Sequence, residues 1–203
     1  VTVVEREPQL APLLDEDVAL HIRNTLLQKN VTILTGSSLE SIQGTANDGV
    51  KSVTVEGKMI PADLVILSVG IRPNTKLAKE AGIELGPTGA IRVNERLQTN
   101  FPDIYAGGDC AESVQLITGK PTWVPLGSTA NKQGRVIGIN ATGGNATFPG
   151  VLGTGIFRVF DLNVALTGLT EKAAQKEGID YEAVIVPVDD KPHYMVGPKV
   201  VII

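Results

Sequence analysis

An α/β fold is what this sequence predicts, and three stretches carry the prediction. The first is Val1-Thr2-Val3-Val4-Glu5, a β-branched run ending in an acid, followed by a helical pattern and a second short apolar run at Val31 to Leu34. The second is Asp63-Leu64-Val65-Ile66-Leu67-Ser68-Val69-Gly70, continuously apolar in the manner of a strand buried on both faces of a parallel sheet. The third is Ile104-Tyr105-Ala106-Gly107-Gly108-Asp109, a short apolar run that delivers an aspartate to the carboxyl edge of a sheet, where open α/β sheets bind ligands.

Taken in order, the first run closes at Arg6-Glu7-Pro8. In a dinucleotide-binding βαβ unit the second strand ends in an acid that takes the adenine ribose hydroxyls, so Glu5 favours a free 2′-hydroxyl and NADH over NADPH. Two things temper this: the glycine-rich turn that precedes such a strand is absent, and Arg6 stands beside the acid; a solvated charge is the alternative reading. Asp15-Glu16-Asp17 opens a helix, with acids suited to its positive end, and Val18, Ile22 and Leu26 form a core-facing stripe up to Lys29-Asn30. Asn47-Asp48-Gly49 and Glu56-Gly57-Lys58 are hairpin turns, predicting an antiparallel meander from Leu39 to Ile60. After the apolar run at 63–70, Pro73 stops helix formation at Arg72.

Thr75 to Ala81 is a short helix capped by Gly82, and Ile83 to Val93 is a hairpin turning at Gly86-Pro87-Thr88-Gly89. In Gly107-Gly108-Asp109 the glycines allow close approach to something bulky, and the carboxylate can accept hydrogen bonds from sugar or polyol hydroxyls. Thr122 to Gly127 leads into a helix from Ser128 to Ala141, broken by Gly143-Gly144-Asn145. Thr154 to Thr167 reads as a hairpin turning at Asp161-Leu162-Asn163; a helix follows, N-capped by Thr170 and ending at Gly178, and then a strand from Tyr181 to Val188.

The 203 residues are 42% hydrophobic and 20% charged, with a net charge of -4, enough apolar content for one or two globular domains. Basic residues are scattered, leaving no nucleic-acid footprint, and no apolar run reaches the length of a membrane span. The start lacks a signal-peptide layout, which reads as cytoplasmic. Cys110 is the single cysteine, so neither an intramolecular disulfide nor a cysteine-rich metal site is expected. The chain starts with Val1 inside a strand and stops in the apolar run Lys199-Val200-Val201-Ile202-Ile203; two unpaired ends predict a piece of a longer polypeptide.

Thr99-Asn100-Phe101-Pro102-Asp103-Ile104-Tyr105-Ala106-Gly107-Gly108-Asp109 resembles the second flavin-binding motif of the pyridine nucleotide-disulfide oxidoreductases. The resemblance implies that Asp109 holds the ribityl chain of FAD. The run ending in Gly70-Ile71-Arg72-Pro73-Asn74 resembles the segment by which that family passes from its NAD domain to its FAD domain, which implies that Gly70 lines the nicotinamide site. Pro125-Leu126-Gly127-Ser128-Thr129-Ala130-Asn131-Lys132-Gln133-Gly134-Arg135 is similar to the family helix whose N-terminus points at the flavin ring. Pro125, Leu126 and Gly127 are then FAD contacts, and the free N–H groups there would stabilise charge on a reduced flavin; the alternative is that Gly134 and Gly138 only permit close packing. The family's reactive cysteine lies in an N-terminal region absent here, so Cys110 is expected to be a small, inert thiol beside the FAD. His193-Tyr194-Met195-Val196-Gly197 is loosely similar to the C-terminal tyrosine segment of coenzyme A-disulfide reductases, but Met195 and Val196 replace the second tyrosine and the proline. Tyr194 is accordingly expected at a dimer face or in the core, and His193 in a loop, not as a base.

Within the family the resemblance is to the NADH oxidase, NADH peroxidase and coenzyme A-disulfide reductase branch. It implies partial Rossmann-like NAD-binding (1–70) and FAD-binding (71–150) domains, then the start of an α+β dimerisation domain (151–203) that builds a homodimer. The implied reaction passes a hydride from NADH to FAD and electrons on to a small-molecule acceptor: a disulfide, peroxide or dioxygen. No residue of this chain is expected to act as a catalytic acid, base or nucleophile, and the piece alone is expected to be inactive. Two other readings stand beside it: a reductase for a ferredoxin- or rubredoxin-type protein, and a non-catalytic fragment that dimerises.

Overall fold

The computed structural model describes residues 1–192 and 194–203, so the reading of His193 falls outside the described residues. Residues Val1–Gly168 form one compact unit and Leu169–Ile203 a second.

In the first unit, β1 (Thr2–Val4) is joined through α1 (Glu16–Gln28) to β2 (Thr32–Leu34), and the two strands pair in parallel with Thr2 opposite Thr32 and Val4 opposite Leu34. The strand–helix–strand order is as expected. The face that α1 buries differs from the expected stripe: Ala19 and Ile22 are buried and Leu26 is partly buried, whereas Val18 is exposed. A strict fourfold spacing drifts around a helix of 3.6 residues per turn, and the combination of three- and four-residue steps from Ala19 keeps one face inward.

The meander follows as expected: β3 (Leu39–Thr45), β4 (Gly49–Val55) and β5 (Lys58–Pro61) form a three-stranded antiparallel sheet with turns at the two predicted glycines. The apolar run at 63–70 does not form the predicted strand. It has no ladder partner among the described residues, and Leu64, Ile66, Leu67 and Val69 are exposed. Continuous apolarity marks a segment suited to burial, but a strand exists only through a neighbour that takes its N–H and C=O groups, and β1 and β2 pair only with each other.

Beyond it, α2 (Lys76–Glu80) ends as predicted at Gly82, whose φ is 76°. The Gly82 N–H donates to the Lys79 carbonyl and the Ile83 N–H to that of Ala78, the paired bonds of a Schellman cap. The 83–93 hairpin is present but reduced to a single bridge, Leu85 to Ile91. Gly86 in its turn leaves room for the carboxylate of Glu112, which a Cβ there would have to displace. That buried carboxylate accepts from the Thr88 N–H at 2.9 Å and the Thr88 hydroxyl at 2.6 Å. Then come β6 (Ser113–Val114), β7 (Pro121–Thr122) and α3 (Gly127–Ala141), and Gly143 breaks the helix at φ 89°.

β8 (Gly155–Val159) and β9 (Leu162–Leu166) form the next hairpin, but its loop is Phe160-Asp161, one residue earlier than predicted. Val159 pairs with Leu162, which leaves Phe160 at φ 51° in the turn. Val164 of β9 is buried in one core with Leu10, Leu14 and Ile22. Lys29, just past α1, adds a surface ion pair to Asp161 at 3.1 Å.

In the second unit, α4 (Glu171–Glu177) is capped as predicted: the Thr170 hydroxyl accepts from the Ala173 N–H, and Gly178 closes the helix in the left-handed region. The strand predicted at 181–188 is shorter and later, β10 (Pro187–Asp189), paired antiparallel with β11 (Val200–Ile202). Tyr194 is exposed. Among the described residues no helix is long and apolar enough to cross a membrane.

Candidate functional site: the Gly107–Asp109 turn and the start of α3

The predicted strand at Ile104–Ala106 is a single antiparallel bridge from Tyr105 to Gln98. Asp109 therefore sits not at the edge of an extended sheet but in the turn that follows, closed by the Ala111 N–H on the Gly108 carbonyl at 3.1 Å. The bridge is short because its partner segment, Asn94–Thr99, is itself bent into a turn by the left-handed Leu97 (φ 64°).

What the glycines approach is α3. A Cβ on Gly107 would lie 2.7 Å from Ile137 Cδ1 and 3.2 Å from Gln133 Cβ, so glycine lets the turn rest on this helix without displacing either side chain. Gly108 adopts φ 78°, which a side chain at that position would strain. Gln133 is fully buried between them: its Oε1 accepts from the Gly108 N–H at 2.7 Å, and its Nε2 donates to Ser113 Oγ at 3.0 Å. From the other side, Trp123 Nε1 donates to the Asp109 carbonyl at 2.8 Å. The main chain of the turn is thus held on two sides.

The Asp109 carboxylate itself makes no hydrogen bond or ion pair among the described residues, and the residue is exposed. It is a rigidly mounted acceptor with both oxygens free. Cys110, next in sequence, is half-buried; its thiol lies 3.6 Å from the Gly107 carbonyl and packs with Ala78, Ile91, Ala106 and Ala111.

Pro125 and Leu126 are half-buried and lead into α3, whose first residue, Gly127, is exposed. Leu126 sits at the N-cap in an extended conformation without any side-chain cap. The first bond of the helix is from the Ala130 N–H to the Leu126 carbonyl, which leaves the N–H groups of Gly127, Ser128 and Thr129 without a partner among the described residues. Apart from chain neighbours and the helix's own backbone, no heavy atom lies within 4 Å of where a Cβ would sit on Gly134 or Gly138, so among the described residues nothing packs closely on them there. The far end of α3 is anchored by buried Asn140, whose amide donates to the Arg96 and Ala146 carbonyls and accepts from the Ala146 N–H.

The remaining two candidates stand apart from this turn. Glu5 follows β1, as the dinucleotide reading requires, and one carboxylate oxygen accepts from the Glu7 N–H at 2.9 Å. Arg6 pairs with Glu7 on the surface. Gly70 lies in the unpaired run at φ 99° with open space around it. Among the described residues no hydrogen bond links Glu5, Gly70 and Asp109. Sequence reasoning missed Gln133 and Trp123. Both lie in stretches that had been singled out, but a buried amide and an indole that act on main-chain atoms leave no spacing signature.

Known proteins resemble this chain over most of its length. The family model described as pyridine nucleotide-disulphide oxidoreductase matches residues 1–134, and the chain belongs to that family. An NAD(P)H sulfur oxidoreductase (CoA-dependent) of Pyrococcus furiosus is 40% identical over 193 residues, 95% of this chain and 41% of that protein. An NADH oxidase of Methanocaldococcus jannaschii is 41% identical over 180 residues, 88% of this chain and 40% of that protein. The solved structure of an NAD-dependent persulfide reductase from A. fulgidus superposes with a TM-score of 0.93 at 45% identity, covering all of this chain and 38% of that one. The chain thus spans about two fifths of the length of these relatives.

Proposed function

We propose that this chain is the cofactor-holding part of an FAD-dependent NAD(P)H oxidoreductase that passes a hydride from NADH to FAD and electrons on to a small acceptor. One observation carries the reading: Asp109 presents an unpaired, exposed carboxylate on a turn whose main chain is pinned by Gln133 and Trp123. Such a carboxylate accepts from two adjacent hydroxyls of a polyol, and its mounting means that little ordering entropy is lost on binding.

The residues present fit the group. Asp109 takes the ribityl hydroxyls, and the Pro125–Leu126–Gly127 turn with the free N–H groups at the start of α3 faces the ring, where positive potential favours added electrons. Glu5 takes the ribose hydroxyls of NADH, and Gly70 lets the main chain approach the nicotinamide. When bound, the flavin supplies the two-electron chemistry between nicotinamide and acceptor. The sulfur and persulfide names of relatives favour a sulfur–sulfur bond as that acceptor, with peroxide and dioxygen as the other members of the class.

The finer assignments belong to the same reading. The domain division is 1–70, 71–150 and 151–203; the last segment contributes to a homodimer; the protein works in the cytoplasm; and these 203 residues alone lack activity. Anaerobic titration of the full-length protein with NADH, followed by absorbance, tests the reading. Bleaching of the flavin band at about one equivalent supports it, and an unbleached band removes it.

A further inference from the structure

We infer that Gln133 is a positioning residue for flavin binding: it fixes the Asp109 turn to α3, so that the carboxylate and the helix start are presented as one rigid cradle. This rests on the reading of Asp109 as a flavin ligand. Gln133 has no exposed surface, and both ends of its amide are engaged, the oxygen with the Gly108 N–H at 2.7 Å and the nitrogen with Ser113 Oγ at 3.0 Å. The bonded N–H belongs to the residue immediately before Asp109. The same helix presses on Gly107 through Ile137.

The amide makes contacts that an apolar core residue would not. Of the three segments it joins, the Gly107–Asp109 turn carries the carboxylate, α3 carries the free N–H groups at its start, and Ser113 opens β6. Burying an amide costs free energy unless its donors and acceptors are met, and here one bond goes to a turn glycine in a left-handed conformation. Without it the Gly108 N–H would turn toward water, and the Asp109 carboxylate would sample several positions relative to α3. A ligand that spans both parts would then lose affinity through the ordering it must supply on binding.

A double-mutant cycle on the full-length protein tests this, with the FAD dissociation constant measured for wild type, Gln133→Met, Asp109→Ala and the double variant. The expected result is a loss of about tenfold for Gln133→Met, and a double variant no weaker than Asp109→Ala alone, because Gln133 acts through Asp109. Gln133→Glu, which keeps an acceptor for the Gly108 N–H, should recover part of the loss. If Gln133→Met does not fold, Ser113→Ala, which removes only the hydroxyl at the other end of the amide, takes its place in the cycle. Additive losses, or a fall in melting temperature of the flavin-free protein with unchanged FAD affinity, would overturn the inference. If Asp109→Ala leaves FAD affinity unchanged, the functional reading fails instead, and the two failures are distinguishable.

Discussion

Trp123 donates its indole N–H to the main-chain carbonyl of Asp109 at 2.8 Å, leaving the aspartate's carboxylate untouched. The bond spans fourteen residues and ties the segment that enters α3 to the turn that presents the acid. Trp123→Phe keeps an aromatic ring, though a smaller one, and removes the donor. It is expected to cost about 1 kcal/mol of stability and to weaken FAD retention severalfold in the full-length protein, as read by thermal melts with and without added FAD. An equal loss in both melts would show that the bond supports the fold alone.

A side chain at Gly107 is predicted to be destabilising. Gly107→Ala places a methyl 2.7 Å from Ile137 Cδ1, and overpacking of this kind costs about 1–3 kcal/mol. Combining it with Ile137→Val, which withdraws the offending methyl, should recover a measurable part in denaturant unfolding. No recovery would show that the clash lies elsewhere.

The hydrogen-bonded pair of buried Glu112 and half-buried Thr88 predicts a different pattern. Glu112 is buried with the Thr88 N–H and hydroxyl both donating to one carboxylate oxygen. Glu112→Ala leaves the half-buried Thr88 N–H unmet and is expected to cost about 1–3 kcal/mol, whereas Thr88→Val costs less because the main-chain donor survives. Equilibrium unfolding of both variants and their double mutant should reveal strong coupling.

Two changes at the β8–β9 hairpin separate core from surface. Val164→Ala removes a buried side chain packed with Leu10, Leu14 and Ile22 and should cost about 1–3 kcal/mol. Lys29→Ala removes an ion pair between exposed partners and should cost less than about 1 kcal/mol, with any effect fading in salt. Melting curves at low and high salt distinguish the two.

Where the fold was legible in the sequence, the information was local. Turn glycines fixed the meander and the caps at Gly82 and Gly178, and Thr170 marked a helix start, because φ preference and capping depend on a few neighbouring residues. Where reading failed, the answer depended on partners distant in sequence. The apolarity of Leu64–Val69 states what the segment suits, but not whether a neighbouring strand is available, and here it remains unpaired. Val18 was misassigned because fourfold spacing only approximates the helical period, and the hairpin turn slipped by one because Phe160 accepts a left-handed conformation that its residue type does not advertise. The turn that presents Asp109 was legible through the two glycines before it, whereas the Gln133 bond was not, because it is made to a main-chain N–H twenty-five residues away.

The most direct measurement is the flavin content of the full-length Asp109→Ala protein beside the stability of its flavin-free form. The carboxylate has no hydrogen bond or ion pair among the described residues, so its removal should change flavin-free stability by no more than about 0.5 kcal/mol. Losing hydrogen bonds to two ribityl hydroxyls should lower FAD affinity on the order of tenfold to a hundredfold. A variant that purifies with a full complement of FAD would contradict the account.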